Sequence, residues 1–361
     1  MRVAFVLPAP VRVPQGGAAV VFRHARGLAE RGHAVDVIAP RRAPGAWPRA
    51  RRQLVRLRDA WHGVGRDRPF AFPEGRIVEP EVLGEDGLRP YDAVIATGWQ
   101  TARVVAGSQT HRQQAGGPAE SPRNGRFYFL QGDERALSPA AEATWHLPLV
   151  RIAVSEWVAG LVRQHGLPVA GVVPNAVDPA DWRCTQAPRD RTARVVALYH
   201  RHPVKGPRTL IRTLDRLRRL APGVQATVVC ARPPSHRLPR WAEVRVRPAP
   251  SALRAIYNRA AVCLHTSTVE GWAMVPMEAA ACGCAVVATA SRGPREYLTP
   301  GRSMIEVPVG DAAALARETA LLLQNPDRRH ALAEAAQADV SRFSWRASTD
   351  ALESILIRYT A

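Results

Sequence analysis

Lysine is all but missing from this 361-residue chain: Lys205 stands alone beside 49 arginines. No apolar run approaches the ~20 residues a membrane-spanning helix needs, which excludes that class. The apolar stretch at residues 3–7 stops at Pro8, too soon for a signal peptide, and reads as a first buried strand. Cysteine is scarce as well. Five, an odd number in a large chain, make no disulfide framework, so a reducing cytoplasm is the expected location. Cys282 and Cys284 are close in sequence, but no second pair or histidine cluster completes a metal site, and they read as buried thiols. Acidic residues are outnumbered 31 to 50, for a formal charge of +19. Yet no zinc finger, helix-turn-helix or RNA-recognition motif accompanies the charge, so no nucleic-acid partner is expected.

What is present is a globular composition, 46% hydrophobic and 22% charged, long enough for about two domains. Arginines concentrate at residues 41–68. That segment reads as a solvated surface loop, or else as a peripheral contact with an anionic membrane face. Short apolar, β-branched runs alternate with helical patterns: strands at 3–7, 34–39, 92–97, 127–130, 151–155 and 171–173, with a first helix over 18–31. Residues 178–193 are polar, carry Pro179 and Pro188, and read as a linker. The alternation then resumes, with strands at 194–199, 226–231, 244–246, 261–264 and 285–289. Helices are expected over 207–220, 251–260, 312–323 and 327–338, and a last amphipathic one over 345–358. Strand–helix–strand units imply parallel sheets covered on both faces.

Three places could do chemistry. The densest is the run from Ala261 to Gly283, read as a strand to about Ser267, a turn at Gly271 and a helix opening with Pro276. The amides of Ala273, Met274 and Val275 then lie at the carboxyl end of a parallel sheet, where open α/β folds take ligands and a helix start suits phosphate. Glu270 and Glu278 bracket this loop. Both would be repelled by a diphosphate and are read as reaching past it to sugar hydroxyls. Taken alone, Glu278 also suits a helix-dipole partner and Glu270 a surface acid. The second place is the strand-to-helix turn holding Arg201, Lys205 and Gly206, where the lone lysine offers a compact point charge. The third, Gly16-Gly17 after the first strand, allows close backbone approach to a ligand but equally suits a plain turn.

Taken in order along nearly the whole chain, these residues resemble a retaining glycosyltransferase of family 4. They include Gly16-Gly17, Arg151-Ile-Ala-Val-Ser155, Val173-Pro174-Asn175 and Lys205-Gly206. Glu270 with Glu278 is similar to the family's Glu-x7-Glu motif, and Arg292-Gly293-Pro294-Arg295-Glu296 and Phe343-Ser344-Trp345 fit the same pattern. The resemblance implies the GT-B fold: two doubly wound Rossmann-like α/β domains facing across a cleft, with the C-terminal helix crossing back to the first. The expected boundaries are 1–182 for acceptor binding, 190–340 for the nucleotide-sugar and 341–361 for that helix. It further implies Lys205, Arg201 and Glu270 as catalytic residues. Glu278, Gly271, Ala273, Met274, Val275, Gly16 and Gly17 would be donor-binding, and Gln131, Asp133 and Trp99 would lie on the acceptor side.

A nucleotide-diphosphate sugar is then a co-substrate, and the acceptor a small molecule, glycan or lipid-linked group. No cofactor or metal is expected, in keeping with the lack of an Asp-x-Asp motif. The sequence departs from the family twice: His200 takes the place of the usual arginine, with Arg201 one residue late, and Gln131 stands where a histidine is common. Gln131, with Thr97-Gly98-Trp99-Gln100, is similar to a rhamnosyltransferase-like branch. The alternative reading is a non-catalytic sugar-nucleotide or glycan-binding protein of the same fold.

Overall fold

The computed structural model describes residues 1–10, 16–41, 72–108 and 124–360. Apart from Arg41, the arginine-rich segment 41–68 lies outside them. The chain divides into two compact units, residues 1–175 with 345–361, and residues 176–344.

The first unit carries seven parallel strands: β1 (Arg2–Val6), β2 (Ala34–Ile38), β3 (Arg76–Val78), β4 (Ala93–Ala96), β5 (Arg126–Leu130), β6 (Val150–Ala153) and β7 (Gly171–Val172). Their order in the sheet is β3-β2-β1-β4-β5-β6-β7. Strands buried on both faces need apolar residues throughout, and Val3 to Val6, Ala93 to Ala96 and Phe127 to Leu130 are all solvent-free. The last helix, Trp345–Thr360, packs on this unit. Trp345 stands edge-on to His24, and the Arg31 guanidinium reaches Glu353 at 3.2 Å.

The second unit has six parallel strands: β8 (Arg194–Tyr199), β9 (Gln225–Cys230), β10 (Glu243–Val246), β11 (Val262–His265), β12 (Ala285–Thr289) and β13 (Ile305–Val307). They run β10-β9-β8-β11-β12-β13, so the order reverses between β8 and β11. One face of β8 packs Val195 and Ala197 on Leu210, Leu214 and Leu217 of the helix Pro207–Leu220, while Val196 meets Ile256, Tyr257 and Cys263 on the other.

Segment 178–193, expected to be a linker, belongs to the second unit, with most of its residues at least partly exposed and Pro188 and Arg191 buried. The Arg191 guanidinium, 4% exposed, donates to the carbonyls of Gln186, Ala260 and Cys282, and Trp182 lies against Tyr257. The one buried charge, Arg191, is thus met by carbonyls of its own segment and of two distant ones. Among the described residues no helix is long and apolar enough to cross a membrane.

Candidate active site

In a parallel sheet the crevice for a ligand opens where the strand order reverses, outside the carboxyl ends. In the second unit that point lies between β8 and β11, and the two loops leaving these strands are stitched together. Val204 O accepts from the Thr268 amide at 2.7 Å and its hydroxyl at 3.2 Å, and Lys205 O accepts from the Thr266 hydroxyl at 3.1 Å. Gly206 makes the approach possible. Its φ of 63° lies in the left-handed region, and a Cβ there would collide with the Thr266 carbonyl oxygen.

This stitching delivers Lys205 to Glu270. The ammonium donates to both carboxylate oxygens, at 2.7 and 2.8 Å, and the Ser267 hydroxyl donates to Oε1 at 2.7 Å. Glu270 is 12% exposed, Lys205 35%. Burial alone would raise the Glu270 pKa. The charge of Lys205, His265 nearby, and the hydrogen bonds from Lys205 and Ser267 outweigh it and hold the carboxyl below its ordinary range. The second group from sequence, Arg201, is exposed on the same loop. Burial, Lys205 and the neighbouring basic groups hold the His200 imidazole below its usual pKa.

Beyond Glu270 the chain turns through Gly271 and Trp272 to a helix, Met274–Ala281. That helix starts two residues before the expected Pro276, and Ala273 caps it with a left-handed φ of 69°. Tyr297 holds this strained residue by donating its hydroxyl to Ala273 O at 2.5 Å. Trp272 lies tilted against Tyr297 at 5.4 Å and stands edge-on to Phe343 at 5.3 Å. Met274 and Val275 therefore supply the amides of the helix start, while Pro276 at the third position has none to give. Glu278 sits one turn further in, where Tyr257 donates its hydroxyl to Oε2 at 3.3 Å.

Sequence reasoning overlooked three side chains here: Ser267, Tyr257 and His265. The signal for the last was a histidine closing an otherwise apolar strand. Its ring is 8% exposed, with Nε2 at 3.9 Å from Glu270 Oε1.

In the first unit the corresponding reversal lies between β1 and β4. Gly16, at φ 52°, precedes the helix Gly17–Ala29, and Gln131 lies against Gly17, where a Cβ would come within 2.7 Å of Oε1. Trp99 opens the helix Trp99–Gly107, and its amide donates to Glu134 Oε1 at 3.0 Å. Glu134 also accepts from the Tyr128 hydroxyl, and burial pushes its pKa up. Asp133 is occupied differently: Arg135 donates to Oδ1 at 2.8 Å and to Oδ2 at 2.9 Å.

Comparison with known proteins now bears on these features. Residues 14–181 match the model of the family described as Glycosyltransferase Family 4, and residues 185–339 that of Glycosyl transferases group 1. A D-inositol 3-phosphate glycosyltransferase of Segniliparus rotundus is 32% identical over 202 residues, 50% of this chain and 45% of the relative. A glycogen synthase of Mycobacterium tuberculosis is 27% identical over 203 residues, 53% of this chain and 49% of the relative. The chain thus spans about half the length of the curated relatives it matches. Among solved structures, sucrose-phosphate synthase from Thermosynechococcus elongatus superposes with a TM-score of 0.72 at 17% identity, covering 99% of this chain and 98% of that one. Anabaena HepE in complex with UDP-glucose gives 0.72 at 18%, over 99% and 100%. With one family model on each side of residues 182–184 and both units built on doubly wound parallel sheets, the chain belongs to the family 4-like glycosyltransferases of the GT-B fold.

Proposed function

We propose that this enzyme moves a hexosyl group from a nucleotide-diphosphate sugar to an acceptor hydroxyl, with retention of anomeric configuration and without a metal. The observation that carries the reading is the convergence of Lys205, Glu270 and the start of the helix Met274–Ala281 at the β8–β11 reversal. A fixed cation and a helix start directed at one place stabilise the charge that grows on a departing diphosphate. In this reading Lys205, aided by Arg201, takes the role a metal would otherwise have. The amides of Met274 and Val275 hold phosphate, Glu278 the ribose diol, and Glu270 a hydroxyl of the transferred sugar.

The bond from the anomeric carbon to the β-phosphate oxygen breaks as the acceptor oxygen bonds to the same face of that carbon. The acceptor's proton passes to the departing phosphate oxygen, since Asp133 is already held by Arg135. The acceptor would be drawn from small molecules, glycans or lipid-linked groups and bound by Gln131, Asp133 and Trp99. Gly16 and Gly17 would give backbone room for the donor. The UDP-glucose complex of HepE makes UDP-sugars the first donors to try.

The test is release of nucleoside diphosphate from UDP-, GDP-, ADP- and dTDP-sugars, followed by NMR of the product's anomeric proton. An inverted product would refute retention, and activity abolished by chelators would refute metal independence. Donor binding without turnover over a broad acceptor panel would favour the binding-protein reading instead.

A further inference from the structure

His265 stands beside Glu270 and has no part in the donor-site reading. It ends β11, its ring is 8% exposed, and its Nε2 has no hydrogen-bond partner among the described residues. Buried nitrogens are rarely left so. Glu270 Oε1 lies 3.9 Å away, about 1 Å beyond an ordinary hydrogen bond. Burial is the main reason the ring titrates at about 4, with Glu270 pulling it up and Lys205 pushing it down. Near neutrality it is therefore uncharged and carries one N–H.

Glu270 Oε1 is already crowded, accepting from Lys205 Nζ at 2.7 Å and Ser267 Oγ at 2.7 Å, while Oε2 accepts from Lys205 at 2.8 Å. If Lys205 turns to a diphosphate, two of these three bonds go together and Glu270 keeps only Ser267 while still buried. A carboxylate so placed tends to take up a proton or to swing.

We propose that His265 is a positioning residue: its Nε2–H closes on Glu270 Oε1 when Lys205 engages the diphosphate, and keeps the carboxylate ionised and aimed at the transferred sugar. The inference rests on the donor-site reading above. The proton stays on Nε2, and no charge is added to the site. Thr289 fixes the neighbouring backbone by donating its hydroxyl to Ser267 O at 2.5 Å, so the movement required is of side chains.

The test compares His265→Leu, which keeps an apolar filling, with His265→Gln, whose amide can still donate. Turnover and KM are measured with the sugar nucleotide that the wild type uses, and Kd by calorimetry with UDP, GDP, ADP and dTDP. The expected result is kcat about tenfold lower in His265→Leu with Kd changed less than about twofold, and recovery to within about threefold of wild type in His265→Gln.

A folded His265→Leu with wild-type kcat overturns the proposal. So does a His265→Gln no better than Leu, or a Kd lost together with thermal stability, which marks a purely structural histidine. If His265→Leu does not fold, the wild-type imidazole nitrogen resonances decide on addition of nucleoside diphosphate. A downfield move of the Nε2–H proton supports the new bond, and an unmoved signal overturns it. A wild type that neither binds any of the four diphosphates nor releases one overturns the donor-site reading itself, and this inference with it.

Discussion

Lys205 and Glu270, 65 positions apart in sequence, form a two-pronged ion pair at 2.7 and 2.8 Å at the ends of neighbouring strands. Each neutralises the other before any ligand arrives. In the proposed donor site a diphosphate would have to compete for Lys205, and a sugar hydroxyl for Glu270, so the two halves of a donor would release each other's binding partner.

Removing the ammonium tests this directly. Lys205→Ala is expected to lower kcat/KM for the sugar nucleotide by about 10²–10³. The variant should also be destabilised by about 1–3 kcal/mol, because Glu270 stays buried with only Ser267 as a side-chain partner. Urea unfolding beside the kinetics separates the two effects, and unaltered turnover would remove Lys205 from the chemistry.

Glu278 is assigned to the nucleotide and not to bond breaking, so its variant should be read in binding. Glu278→Ala should weaken the Kd of nucleoside diphosphate about tenfold by calorimetry. Tyr257→Phe removes only the 3.3 Å bond that steadies it and should cost less than about threefold. Equal affinities for Glu278→Ala and wild type would end that role.

One part of the acid sensitivity should trace to a buried imidazole of the first unit. His24 is wholly buried between Phe129 and Trp345, neither ring nitrogen has a hydrogen-bond partner among the described residues, and burial lowers its pKa from 6.5 to about 3. Between those values the unfolded chain holds one more proton than the folded one. Stability is thus full above pH 6.5 and declines as pH falls toward 3. His24→Phe removes this term and keeps the edge-on packing. Its advantage over wild type should grow by roughly 2 kcal/mol between pH 7 and pH 5 in chemical denaturation, and a constant difference across that range would contradict the account.

Two glycines should respond in opposite senses. Gly206→Ala forces a Cβ onto the Thr266 carbonyl at a left-handed φ and should destabilise by at least about 2 kcal/mol. Gly160, inside the helix Glu156–Gln164, has open space where a Cβ would go, and Gly160→Ala should stabilise by about 0.5–1 kcal/mol. Melting curves of both variants check the pair.

The sheets were legible because parallel strands buried on both faces must be apolar runs, as at 93–96 and 262–264. The three-residue strands β3 and β13 escaped notice, being too short to show a pattern. Lys205 and Glu270 could be read from their turns, since chemistry in this architecture gathers at strand ends. His265 could not: its significance lies in a distance to Glu270 that the four intervening residues do not reveal. Glu134 was passed over for its neighbour Asp133, and only tertiary structure shows Arg135 holding one while the other is buried against Tyr128 and Trp99. The anchoring of segment 178–193 was hidden for the same reason, because Arg191 is satisfied by carbonyls of Gln186, Ala260 and Cys282.

Because residues 176–344 form one unit and 345–361 return to the other, the first unit to begin emerging from a ribosome is the last to be completed. All six strands of the second sheet are available to the nascent chain before Trp345 appears. Until then the helix Gly17–Ala29 lacks the cover that Trp345 gives His24 and that Thr349 gives Gly27. The order of maturation is therefore inverted relative to the order of synthesis, and the half-finished first unit is where a chaperone would find exposed apolar surface.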